Sequence, residues 1–178
     1  MTEEMEVPTE HLHESIQEGA EKRNERWILL VAMSTALLAV FAALASLLAG
    51  YHANEALVKQ VQASDQWAYY QAKGIKSAVL ESKLELLWAL DKERNPKDEE
   101  KVTEYKNQQK EIEAEARERE KSSAEHLAVH NVLARGVTLF QIAIAIAAIS
   151  VITRRKWLWV GSLILGLSGL FFLVQGLL

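Results

Sequence analysis

Three stretches of this chain carry no charged residue at all: Trp27 to Gly50, Gly136 to Thr153 and Trp157 to Leu178. Nearly every Asp, Glu, Lys and Arg falls instead in the first 26 residues, between positions 51 and 135, or in the link 154–156. A bilayer imposes that segregation. Its hydrocarbon core of about 30 Å takes roughly 20 helical residues at about 1.5 Å each, and runs of 24, 18 and 22 residues all qualify. The overall content, 49% apolar and 25% charged, would pass for an ordinary soluble domain, so the distribution decides the class. The expected fold is an all-α membrane protein: three transmembrane helices, with a long extramembrane, coiled-coil-like helical hairpin between the first and second. The expected segments are an N-terminal cytoplasmic stretch 1–26, a transmembrane helix 27–50, the hairpin 51–135 with its turn near 95–97, a transmembrane helix 136–153, a cytoplasmic loop 154–156 and a transmembrane helix 157–178.

A cleaved signal peptide is the competing reading of the first run, with Ala43-Leu44-Ala45 as the cleavage site. It fits poorly. The run exceeds the usual signal core of about 7–15 residues, and an acid-rich tail (Glu3, Glu4, Glu6, Glu10, Glu14, Glu18) precedes it rather than a short basic one. The absence of cysteine excludes disulfides, thiolate catalysis, iron–sulfur ligation and c-type haem attachment. A net charge of −4 gives no general attraction to nucleic acid, and no basic stripe with interleaved aromatics is present.

Short loops beside membrane helices retain Lys and Arg on the cytoplasmic side. The link Thr153-Arg154-Arg155-Lys156 is therefore expected to be cytoplasmic, as is the N-terminus, where Lys22, Arg23 and Arg26 abut the first run and can touch anionic headgroups. Residues 51–135 and the C-terminus then lie on the opposite, periplasmic side. Ahead of the first run, Thr9 can cap a short segment carrying His11, His13, Leu12 and Ile16, read as a surface helix or disorder.

Within 51–135 the one strong breaker is Asn95-Pro96, followed by Asp98, Glu99 and Glu100. That pattern starts a helix: Asn95 caps, Pro96 suits the first helical position, and the acids complement the positive helix end. One arm should run from 51 to 94 and the other from 97 into the second span. The outgoing arm carries an apolar stripe, Leu57, Val61, Ser64, Ala68, Ile75, Val79, Leu86 and Leu90. The returning arm is poorer. Val102, Tyr105, Ile112 and Ala116 share one heptad frame that Gln109, Arg119 and Ser123 interrupt, and the pairs Glu113–Arg117 and Glu115–Arg119 are expected to support it. An arm this polar should stay solvated, sheltered by the first arm or by sister subunits.

Inside the spans a different pattern emerges. Ala32, Ala36, Ala39, Ala43, Ser46 and Gly50 step by four and three along one face of the first; Gly136, Ala143, Ala147 and Ser150 in the second, and Ser162, Gly166, Gly169 and Gly176 in the third, follow steps of three, four and seven. Lipid is as apolar as leucine, so membrane helices associate through close packing of small residues. Three such strips point to a homo-oligomer, the alternative being that all are consumed within one subunit.

Ionisable residues inside spans mark transport paths, and these spans hold none. Gln141 and Thr138, with Ser150, are the pore candidates if an oligomer axis passes between copies; interhelical hydrogen bonding is the other reading of Gln141. His126 and His130 are one turn apart, and His52 leaves the first span at a comparable height, so the three, with Glu55 or Glu125 nearby, have the ligand types for Zn²⁺ or Cu²⁺. The segment His126-Leu127-Ala128-Val129-His130 lacks the glutamate of the metalloprotease motif, and interfacial hydrogen bonding explains these histidines as well. A b-type haem is a further reading of the same histidines, and no other cofactor is expected. Trp67, Tyr69 and Tyr70 lie beyond the interfacial aromatic belt supplied by Trp27, Tyr51, Trp157 and Trp159, and offer either a flat partner surface or packing for the neighbouring arm. No serine–histidine–acid spacing, phosphate loop or paired buried carboxylates stands out.

The stretches EVPTEHLHE (6–14), LLAGYHANEA (47–56) and especially ASDQWAYYQAKGIK (63–76) resemble the bacterial family catalogued as domain of unknown function 4337. The resemblance implies a bacterial inner-membrane protein with no assigned activity, and it transfers no functional residue. The function expected is that of a non-enzymatic, oligomeric structural or interaction subunit projecting its hairpin into the periplasm, with the bilayer, further copies of itself and an unidentified membrane or periplasmic protein as partners. A channel or transporter subunit with an uncharged polar pore is the first alternative, and a metal-responsive membrane sensor the second.

Overall fold

The computed structural model describes the backbone from Thr9 and side chains from Arg26 onward; His11, His13, Lys22 and Arg23 lie outside the described side chains. Three helices and no strand make up the described residues: α1 Thr9–Ala89, α2 Pro96–Thr153 and α3 Lys156–Leu177. All three are long and apolar enough to cross a membrane. With prolines only at positions 8 and 96, nothing forces a break within α1.

α1 stops at Ala89, five residues before the expected end at 94, because the chain closes on itself there. The Lys92 N–H donates to the Leu87 carbonyl (2.9 Å) and the Asp91 N–H to the Trp88 carbonyl (3.1 Å), a Schellman closure with Asp91 left-handed at φ 55°. The same device ends α2: Arg155 donates to Ser150 (3.1 Å), Arg154 to Val151 (3.2 Å), and Arg154 takes φ 53°. At the start of α2, Asn95 Oδ1 accepts the Lys97 N–H at 3.0 Å, the cap expected from the Asn-Pro pair.

The chain divides into two compact units, one formed by Val132–Leu178 with the chain up to Leu47, the other by Leu48–Asn131. In the first, the small faces of α2 and α3 are the buried ones. Ala143, Ala147 and Ser150 of α2 and Ser162, Gly166 and Gly169 of α3 are all buried, with Leu133, Phe140 and Leu173 between them. The backbones come close: a Cβ on Gly169 would meet Phe140 at 3.0 Å and the Gly136 carbonyl at 3.2 Å.

α1 does not offer its small strip to this contact. Ala32, Ala36, Ala39, Ala43 and Ser46 are exposed in the first unit, and the face turned inward is Trp27, Val31, Leu38 and Ala45. Two small faces already in contact leave hollows that a third would not fill, and close packing asks for bulk there. Leu38 fills one, its Cδ2 only 2.5 Å from where a Cβ of Gly166 would stand. Phe41 stacks on Phe140 with ring centres 6.1 Å apart, and Trp159 donates its indole N–H to Ser34 Oγ at 3.0 Å. Trp27, Val31 and Ala147 close one end with Val151 and Trp159, and Lys156 Nζ lies 5.8 Å from the centre of the Trp27 ring.

Candidate functional site

In the Leu48–Asn131 unit the chain beyond Leu48 and the first part of α2 lie antiparallel. Lys83 Nζ pairs with Asp98 at 2.7 Å near the Asn95 turn, and His130 meets Ala49 at the other end. On α1 the face turned to α2 keeps one seven-residue frame, with Ala56, Ala63, Ser77 and Leu84 buried and Tyr70 between them half-buried; four positions are therefore buried. Three of the four are small, which lets the backbones approach.

The opposing face of α2 is a heptad frame, and its polar members belong to it. Val102, Ile112 and Ala116 are buried as expected; Gln109, Arg119 and Ser123 are bonded across to α1 rather than left in solvent. Gln109 Nε2 donates to the Tyr70 carbonyl (3.2 Å), Arg119 to Gln62 Oε1 (2.6 Å) and Ser123 Oγ to the Ala56 carbonyl (2.8 Å). His126 and His130 continue the frame: His126 meets His52 Nδ1 to Nδ1 at 2.9 Å, and His130 Nδ1 lies 2.8 Å from the Ala49 carbonyl. A carbonyl only accepts, so His130 carries its proton on Nδ1. The result is a ladder of cross-helix hydrogen bonds in which three α2 side chains use main-chain oxygens of α1. Gly74 makes room for one rung, since a Cβ there would lie 2.6 Å from Gln109 Nε2.

Of the expected helix pairs, Glu113–Arg117 forms at 2.9 Å. Glu115 instead takes Gln66 (3.1 Å) and Arg119 takes Gln62, because both face α1 and a cross-helix partner is nearer than the next turn. Among the aromatic candidates, Trp67 donates to Glu120 (2.9 Å), lies under the Arg117 guanidinium at 5.8 Å and meets Tyr70 edge-on at 5.5 Å. Tyr69 is exposed, and Lys73 lies 5.1 Å from the ring centres of both Tyr69 and Tyr105.

The three histidines proposed for metal are brought together in part. His52 and His126 touch, whereas His130 takes a backbone partner; among the described residues no set of three His, Asp or Glu side chains is arranged to hold a metal ion. The pore candidates Thr138 and Gln141 are exposed, with Thr138 Oγ1 bonded to the Ala134 carbonyl at 2.9 Å and Ser150, buried, to that of Ala147 at 2.6 Å. Gly50 is exposed, with open space where a Cβ would project.

A family model described as Domain of unknown function (DUF4337) matches residues 27–178. The chain belongs to that family. The DUF4337 match takes in all three apolar runs and the whole of the antiparallel pair, so the ladder lies wholly within the family's domain. No curated protein and no solved structure matches the chain. The heptad frame of this DUF4337 chain was visible in its apolar members; the polar rungs were not, because Gln, Arg, Ser and His on a solvated arm ordinarily read as surface.

Proposed function

We propose that this DUF4337 protein is a non-enzymatic integral protein of a bacterial inner membrane, an oligomeric structural or interaction subunit whose antiparallel pair, the hairpin of residues 51–135, projects into the periplasm. The observation that carries the reading is the unengaged small strip of α1: Ala32, Ala36, Ala39, Ala43 and Ser46 remain exposed while the strips of α2 and α3 are consumed within the chain. Small residues on a lipid-facing surface gain nothing from lipid and gain close packing from another helix. The ladder supports the same reading, since its polar side chains are spent on holding two helices together. Orientation follows from Arg154, Arg155 and Lys156, the last against Trp27, which gathers basic groups at one end of the apolar helices.

Two measurements test this. Purification in mild detergent should yield a defined multiple of the 20.0 kDa chain mass, with any companion protein identified alongside; a monomer overturns the reading. A cysteine in place of Lys97 should react with impermeant maleimide from the periplasmic side, and protection in intact spheroplasts inverts the topology.

A channel is the second reading, supported by the exposure of Thr138 and Gln141 on α2, where an oligomer axis can reach them. Ion flux in proteoliposomes that Gln141→Leu abolishes would favour it over the first.

A further inference from the structure

The α1 face of the Leu48–Asn131 unit that packs on α2 is the Ala56, Ala63, Ser77, Leu84 face. A second seam lies on the opposite side of the helix and is exposed. Leu57, Val61, Ser64, Ala68, Ile75, Val79, Leu86 and Leu90 follow one another at intervals of three, four and seven, and all are exposed, Leu57 at 64%, Ile75 at 65% and Leu86 at 60%. No charged residue interrupts these positions, although Asp65, Lys76, Lys83 and Glu85 crowd the flanks. Contiguous apolar surface of this extent marks an interaction site. Alternating intervals of three and four fit another α-helix and not a sheet, a lipid tail or a small molecule.

We propose that this seam is where α1 of a second copy of the chain docks, parallel and in register. Three observations select that occupant. Copies inserted in one membrane share one orientation, because the same basic link fixes each, so neighbouring α1 helices run parallel. In a parallel, in-register pair every seam residue meets its own counterpart, and a seam free of charge from Leu57 to Leu90 is then self-complementary, whereas one charged position would set like against like. The area also suffices: six large side chains at roughly 100 Å² each per copy give on the order of 1,200 Å² in total, the lower range of stable interfaces.

The inference rests on the oligomeric reading and names its contact. The chain has no cysteine, so single cysteines report cleanly and, on an exposed face, leave the fold intact. Val61→Cys, Ala68→Cys and Ile75→Cys in native membranes should cross-link under mild oxidation to twice the chain mass, while Tyr69→Cys and Lys76→Cys, one residue off the seam, should not. Cross-linking that ignores this alternation, or that fails at every seam position, overturns the proposal. Native mass of wild type in detergent separates the two levels: an oligomer without seam cross-links overturns this contact alone, and a monomer overturns the oligomeric reading with it.

Discussion

His52 and His126 face each other Nδ1 to Nδ1 at 2.9 Å, so only one proton can lie between the two rings. One imidazole donates and the other accepts. Removing either leaves a part-buried nitrogen without its partner, which costs about 1–3 kcal/mol. His52→Leu and His126→Leu should each lower the denaturation midpoint of the purified protein, and the double variant should lose less than the sum. Additive losses would show that the contact contributes nothing of its own.

The glycines of α3 are not equivalent. A Cβ on Gly169 meets the Phe140 ring and the Gly136 carbonyl, while one on Gly161 meets nothing within 4 Å. Gly169→Val should destabilise by about 1–3 kcal/mol through overpacking; Gly161→Ala should be neutral or gain up to about 1 kcal/mol from helix propensity. Thermal unfolding in detergent orders the two variants.

Asp91 holds a left-handed conformation at the end of α1 with φ 55°. Such a position costs an L-residue about 1 kcal/mol and costs glycine almost nothing. Asp91→Gly should raise the unfolding midpoint modestly, and Asp91→Val, β-branched, should lower it.

Ala63 of α1 and Ala116 of α2 have no exposed surface in the antiparallel pair. Ala63→Leu forces bulk into that seam and should cost about 1–3 kcal/mol. Limited proteolysis should then cut within 97–130 sooner than in wild type, and an unchanged digestion rate would mean the helices can separate without penalty.

The runs Trp27–Gly50, Gly136–Thr153 and Trp157–Leu178 were legible as helices long and apolar enough to cross a membrane, because an absence of charge over about 20 residues is what a lipid core selects. Asn95-Pro96 marked the start of α2 to within one residue, at Pro96 rather than 97, since cap and proline are local devices. Asp91 was not legible as a stop: nothing in its side chain demands a left-handed backbone, and the helix ends there through main-chain bonds. Small strips could be recognised in all three apolar runs, but not which would be used. That choice depends on how bulk such as Leu38 and Phe41 fits against Gly166 and Phe140, a matter of three-body packing that spacing along one helix does not encode. Gln109, Arg119 and Ser123 looked like defects in a heptad for the same reason, their acceptors lying on the other helix.

Three rungs of the ladder end on oxygens of Ala49, Ala56 and Tyr70, and every residue type supplies such an oxygen. Substitution at Ala49, Ala56 or Tyr70 therefore need only respect size, whereas replacing Gln109, Ser123 or His130 removes a donor outright. At these three rungs drift should accumulate unevenly, the donor side bearing the chemical constraint and the carbonyl side only a steric one, while Gln62 and His52 stay chemically constrained on α1.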